Sequence, residues 1–178
     1  MFLTDKDIKQ AVEAGDITIK DFDESRLQPA SYDVLLDNEF QVILRDKTKL
    51  IDPSEGIFPE TRIVTIEDGE PFYLHPEEMV LARVRDFVGS KKYLIQLSGK
   101  SSLARVGLIV HNTAGIVNPG HFLQITLELA NLNSVPIVLR PGMPIAQLVF
   151  SKMLQEPEQD YSEKGRFVGD NWKKNFTQ

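Results

Sequence analysis

Two hydrophobic rhythms run along the chain, a short helical one at the start and a long alternating one after it. Over residues 4–14, Ile8, Ala11 and Val12 fall on one stripe at helical spacing, which predicts an amphipathic helix. Thr4 suits its N-cap, Asp5 and Asp7 sit where the helix dipole favours negative charge, and Gly15 suits the stop. The alternating pattern then predicts short strands over 32–36, 40–44, 62–66, 72–74, 79–85, 93–97, 108–111, 123–132, 137–139 and 145–150. Asp52-Pro53, Asp68-Gly69, Asn118-Pro119-Gly120 and Pro141-Gly142 punctuate them as turns. There is no internal repeat and no low-complexity tract. Many short strands with few helices predict an all-β core, sandwich-like or barrel-like. Residues 155–178 change character: they are polar and weakly periodic, and they read as a mobile tail or a segment that orders on binding.

Composition narrows the function. A chain of 178 residues is one domain, long enough to bury a proper core. Net charge is -6, so a general nucleic-acid binder is disfavoured. The absence of cysteine removes disulfides, thiolate nucleophiles and Cys-based zinc sites. The polar start MFLTDKDIKQ does not read as a signal peptide, and no apolar run approaches the ~20 residues of a membrane span. The expected location is the cytoplasm.

Chemistry concentrates in two stretches. SGKSSLARVGL, residues 98–108, packs small residues, hydroxyls and two cations together. A P-loop needs a second glycine five positions before Gly99, and Leu94 stands there. The alternative is a short helix near 101–107 after a strand, with Lys100 and Arg105 adding charge for a phosphate; a capped surface helix is the plain alternative. In QITLELAN, residues 124–131, Ile125, Leu127 and Leu129 point one way and Thr126, Glu128 and Ala130 the other. Glu128 alone on a polar strand face is ordinary, unless other groups converge on it. His75, His111 and His121 are scattered and lack metal spacing, and no Gly-x-Ser-x-Gly elbow exists.

Taken in order, RLQPASYDV (26–34), EPFYLHPEE (70–78), SGKSSLARVGL, VHNTAGIVNPG (110–120), ITLELAN (125–131) and LRPGMPIAQLVF (139–150) resemble the dCTP deaminase family, the zinc-free branch related to the trimeric dUTPases. The resemblance implies a mainly β, β-clip or distorted β-barrel fold of the dUTPase type. Residues 1–154 would form the β domain and 155–178 a lid belonging to it. It implies hydrolytic deamination of dCTP to dUTP and ammonia without zinc, with Mg2+ carried by the triphosphate. It also implies a homotrimer with active sites between subunits, and dTTP as an inhibitor.

Under the same resemblance Glu128 is general base and proton shuttle. Ser101 and Arg105 sit beside the reacting base and water, and the Ala114 carbonyl positions that water. Lys100, Ser101 and Ser102, with Leu103 and Ala104 following, form the triphosphate stretch. Thr126 and Leu127 present backbone groups to cytosine, and Asn118 contacts the sugar. Tyr161, Arg166 and Asp170 fall in the closing segment. The chemistry agrees with these roles. One carboxylate can take the water's proton and pass it to the ring and the departing amine. A nearby Arg105 would keep it ionised, and fixed hydroxyl and carbonyl groups would stand in for a Lewis acid.

The sequence departs from the family pattern in places. Asn118 stands where Asp is usual, and an amide cannot act as a base toward a phosphate-attacking water. Leu123 replaces the last glycine of Pro-Gly-aromatic-x-Gly, and Asp170 replaces a glutamine. Thr113-Ala114-Gly115 and Lys100 instead resemble the bifunctional, dUMP-forming members. On Asn118 the residues favour plain deamination over the bifunctional activity, and a non-catalytic nucleotide-binding regulator is the third reading.

Overall fold

The computed structural model describes residues 1–67, 69–165 and 168. Helix α1 (Asp5–Glu13) forms where the apolar stripe predicts it, with Ile8 and Ala11 buried. A reciprocal cap starts it: Thr4 Oγ1 accepts the Asp7 N–H at 3.4 Å, and Asp7 Oδ2 accepts the Thr4 N–H at 2.9 Å. The chain continues through β1 (Ile17–Ile19), a 3-10 turn (Glu24–Arg26), β2 (Leu27–Gln28), β3 (Ser31–Ile43), β4 (Thr61–Thr65), β5 (Phe72–Leu74) and β6 (Met79–Ser90). After these come β7 (Tyr93–Gly99), α2 (Ser101–Ala104), β8 (Leu108–Ile109), β9 (Ile116–Val117), β10 (Leu123–Asn131), β11 (Ile137–Leu139), β12 (Pro144–Lys152) and α3 (Tyr161–Lys164).

The main sheet runs β8-β10-β6-β3-β12-β7-β9, with β1 on β6 and β2 and β4 on β3, while β5 and β11 form a separate pair. β3 organises the curl. Its first residues, Tyr32–Leu35, pair with β12, and its later residues pair with β6 and β4. Register shifts interrupt the ladders at Leu36/Phe40, Gln124/Thr126 and Pro144/Ala146. Such irregularities bend strands and increase twist, so the sheet rolls into a half-barrel around one core. Tyr32, Phe40, Leu127, Leu129 and Phe150 are completely buried there, and Phe72 stacks on Phe40 at 4.1 Å.

The mainly β class is as the alternation predicts, and the differences lie where polar residues interrupt it. The expected strands at 32–36 and 40–44 are one strand. Asp37 and Glu39 interrupt the apolar pattern because they pair with Arg83 on β6, at 2.7 and 3.1 Å. The strand expected over 108–111 ends at Ile109, and the helix expected near 101–107 ends at Ala104. Gly107 at φ +85 then turns the chain away. β1, β2 and β9 are too short to leave a periodic signal. The turn at Asp68-Gly69 lies partly outside the described residues. Within 155–178, read as a mobile tail or a segment that orders on binding, the described residues carry α3, held against the turn that follows β9.

Candidate active site

Glu128 owes its position to the alternation of β10. Ile125, Leu127 and Leu129 are buried, so Thr126 and Glu128 are turned to the opposite, half-exposed face. That face borders a cleft of about 400 Å³, with Ala114, Asn118, His121 and Tyr161 around it and Leu81, Ile116 and Ile125 as its apolar wall. Glu128 Oε2 accepts the Asn112 N–H at 3.2 Å, which ties the carboxylate to the loop between β8 and β9. The same loop is clamped to β7: the Leu97 N–H donates to the Gly115 carbonyl at 2.7 Å. A Cβ on residue 115 would come 2.9 Å from the Leu97 oxygen, so only glycine fits this approach. Ala114 is thereby fixed at the mouth of the cleft.

Beside Glu128 lies a strand edge. β8 covers β10 only at Ala130 and Asn131, so among the described residues β10 has, from Leu123 to Leu129, a strand neighbour on the β6 side alone. Antiparallel ladders alternate the direction of backbone groups. Part of the Leu123–Leu129 backbone therefore faces away from the sheet, next to the carboxylate, as Thr126 and Leu127 would need to do to meet a base edge.

The turn after β9 forms the far wall. Gly120 takes φ +82, its N–H donates to the Ser90 carbonyl at 2.8 Å, and the His121 N–H donates to the Asn118 carbonyl at 3.1 Å. α3 docks on this turn. The Tyr161 N–H donates to the Pro119 carbonyl at 3.2 Å, and the Tyr161 ring stacks on His121 at 4.1 Å. Asp160 caps α3 by accepting the Ser162 N–H and hydroxyl at 2.9 and 2.8 Å. These two bonds hold its carboxyl below the usual carboxylate range. Leu123 is accommodated as the first residue of β10, paired with Val88, without a positive φ. The missing glycine therefore costs this turn no strain.

Lys100, Ser101 and Ser102 open on a different cleft, of about 440 Å³, with Gln28, Ser31 and Gln147. Lys100 precedes α2, and its carbonyl accepts the N–H groups of Leu103 and Ala104 at 3.0 and 2.9 Å. Its ammonium donates to Asp33 Oδ2 at 2.5 Å. Leu103 packs on the core, while Ala104 and Arg105 are exposed. Arg105 lines neither cleft. Within one chain, among the described residues, no hydrogen bond or ion pair joins Ser101 or Arg105 to Glu128, and Ser101 lines the other cleft; the resemblance expects these groups to meet between subunits. Arg166 and Asp170 lie outside the described residues. Among the described residues no group of three or more His, Asp or Glu side chains could hold a metal ion. No helix among them is long and apolar enough to cross a membrane.

Residues 2–153 match the model of the family described as dCTP deaminase-like. The chain belongs to this family. A relative from Corynebacterium glutamicum (strain R), named dCTP deaminase, dUMP-forming, is 43% identical over 162 residues, which is 90% of this chain and 86% of that protein. One of the same name from Streptomyces coelicolor is 44% identical over 165 residues, covering 92% of this chain and 86% of its own. Among solved structures, the 2'-deoxycytidine 5'-triphosphate deaminase of Agrobacterium tumefaciens is similar in fold. Its TM-score is 0.65 at 17% identity, over 85% of this chain and 48% of that one.

The dCTP deaminase-like chain thus gathers Glu128, Ala114, Asn118, Thr126 and Tyr161 at one cleft, and Lys100, Ser101 and Ser102 at another. Three partners escaped the sequence reading: Asn112, which acts through its backbone, His121, which faces Tyr161, and Asp33 beneath Lys100. Only Asp33 had a usable signal. It is a charge at a buried strand position, between Tyr32 and Val34, both fully buried.

Proposed function

We propose that the protein is a dUMP-forming dCTP deaminase. It replaces the C4 amine of dCTP by oxygen, releasing ammonia, and then hydrolyses the dUTP formed to dUMP and pyrophosphate. The observation that carries the reading is Glu128 beside an open strand edge, in a cleft with an apolar wall fit for a pyrimidine ring. Water held between Glu128 and the Ala114 carbonyl gives one proton to the carboxylate, which passes it to ring N3 as the oxygen bonds to C4. Glu128 then takes the proton of the new C4 hydroxyl and delivers it to the amine, so the C4–N bond breaks and ammonia leaves as the C4 carbonyl forms. The backbone of Thr126 and Leu127 meets the base edge, and Asn118 meets the sugar.

Lys100, Ser101 and Ser102 take the triphosphate, which arrives with its Mg2+ as part of the substrate. Their cleft lies apart from Glu128 within one chain, which supports a site closed by a neighbouring copy in a homotrimer. That copy brings Ser101 and Arg105 to the ring. Residues 155–178 close over the nucleotide from the Tyr161–His121 contact, and dTTP, sharing the sugar and triphosphate, competes as an inhibitor. A cytoplasmic location suits such a substrate.

The dUMP-forming names of the relatives, with Lys100 and Thr113-Ala114-Gly115, outweigh the preference for plain deamination drawn from Asn118. Asn118 is the specific residue behind the second reading, in which the reaction stops at dUTP. Chromatography of the products from dCTP and Mg2+ decides between them. The expected products are dUMP, pyrophosphate and ammonia, all lost in Glu128→Gln. Accumulating dUTP would establish the plain deaminase. Intact dCTP with folded wild-type protein would leave only a nucleotide-binding regulator.

A further inference from the structure

Among the described residues, Lys100 is the one charged group lining the Ser101–Ser102 cleft. Its ammonium is nevertheless turned to a carboxylate that does not line the cleft. Asp33 is 7% exposed, and its Oδ2 accepts Lys100 Nζ at 2.5 Å and Gln28 Nε2 at 3.4 Å. Its Oδ1 is buried and has no protein hydrogen-bond partner among the described residues. Among those residues Lys100 is the one cation paired with this carboxylate. A buried charge is costly without a partner, so the two groups are committed to each other. The surroundings are equally committed: Ser31 Oγ donates to Gln147 Oε1 at 2.8 Å, and Gln147 Nε2 donates to the Gly99 carbonyl at 3.1 Å. Neither Ser31 nor Gln147 competes for the carboxylate.

We infer that Asp33 is the positioning residue for Lys100. It fixes an otherwise flexible ammonium at the floor of the phosphate cleft, so that two of its three donors remain for phosphate oxygens. Asp33 touches no substrate; it sets the reach and direction of the group that does. The inference rests on the proposed role of Lys100 in holding the triphosphate.

The test measures binding by calorimetry in the Glu128→Gln background, which holds dCTP without turning it over. Tripolyphosphate and deoxycytidine are run alongside. Asp33→Asn, close to isosteric, should weaken dCTP and tripolyphosphate by about tenfold, as expected for loss of one charge-assisted bond, and leave deoxycytidine within about twofold. Asp33→Glu keeps the charge but displaces it, and should fall between; it also carries the test if the amide variant fails to fold. Once Lys100 is replaced by Met, adding Asp33→Asn should change dCTP binding by less than about twofold, because there is no ammonium left to place. Unchanged phosphate affinity in the Asp33 variants, equal weakening of deoxycytidine, or a full additional loss in the Lys100→Met background would each overturn the inference. If tripolyphosphate follows Asp33 while dCTP does not bind at all, the proposed function falls and the positioning role stands.

Discussion

At the scale of single residues, the site depends on a few positions where backbone geometry leaves no choice. Gly120 is the sharpest of them. It takes φ +82, and a Cβ there would come 1.6 Å from Asp160 Oδ1, so a side chain meets both backbone strain and the cap of α3. Gly120→Ala should cost about 1–2 kcal/mol for the left-handed conformation alone. It should also push α3 off the turn, and limited proteolysis after Lys164 would then run faster than in the wild type. Unaltered cleavage would mean that α3 does not rely on this turn. Such a residue is half-legible in sequence. Asn118-Pro119-Gly120 announces a turn through its composition, but nothing in it says that Asp160, forty residues on, fills the space a side chain would need. Glu128 is similar. Its polar strand face follows from alternation, whereas its Asn112 partner follows from a loop whose path no local pattern encodes.

At the scale of elements, β3 and β6 decide the curl, and buried charge pairs decide how they meet. Arg26, the last residue of the 3-10 turn, donates to Asp86 Oδ1 at 2.7 Å and lies 4.7 Å over the Tyr32 ring. Asp86 Oδ2 accepts the Leu35 N–H at 2.9 Å, and only 4% of the Asp86 side chain is exposed. Arg26→Met should therefore strand a buried carboxylate and lower stability by about 3–5 kcal/mol, read from the urea midpoint. Adding Asp86→Asn removes the charge, keeps an acceptor for Leu35, and should restore most of the loss. A small effect of Arg26→Met would mean that Asp86 finds water or another partner. Periodicity located both strands but broke β3 in two, since Asp37 and Glu39 look like a polar interruption until Arg83 is seen across the ladder. Strand interiors are legible through alternation, while charge pairs between distant strands are not, because their partners have no sequence spacing in common.

At the scale of the whole molecule, the two clefts pose the main question. Glu128 and Lys100 belong to one proposed reaction, yet they open on separate clefts of the same chain. If a neighbouring copy completes each site, Glu128→Gln and Lys100→Met should each be inactive alone. Mixed and reassembled after mild denaturation, they should regain a fraction of wild-type activity, because some sites then combine an intact Glu128 with an intact Lys100. No recovery on mixing would place the complete site within one chain.

The mainly β class, α1 with its cap, the inward and outward faces of β10, and the family to which the motifs belong are all legible in the order of residues. These are local properties: the spacing of side chains, the chemistry of turns, and short ordered motifs are written in neighbouring residues. The folded chain alone reveals that the strands curl at three register shifts, that α3 docks on the turn at Gly120, and that Asp33 pairs with Lys100. It also puts Ser101 and Glu128 on different clefts of the chain. The physical reason is common to all of these. Each is a contact between residues far apart in sequence, fixed by how the strands pair and bend, and by which buried charges must find a partner once they do.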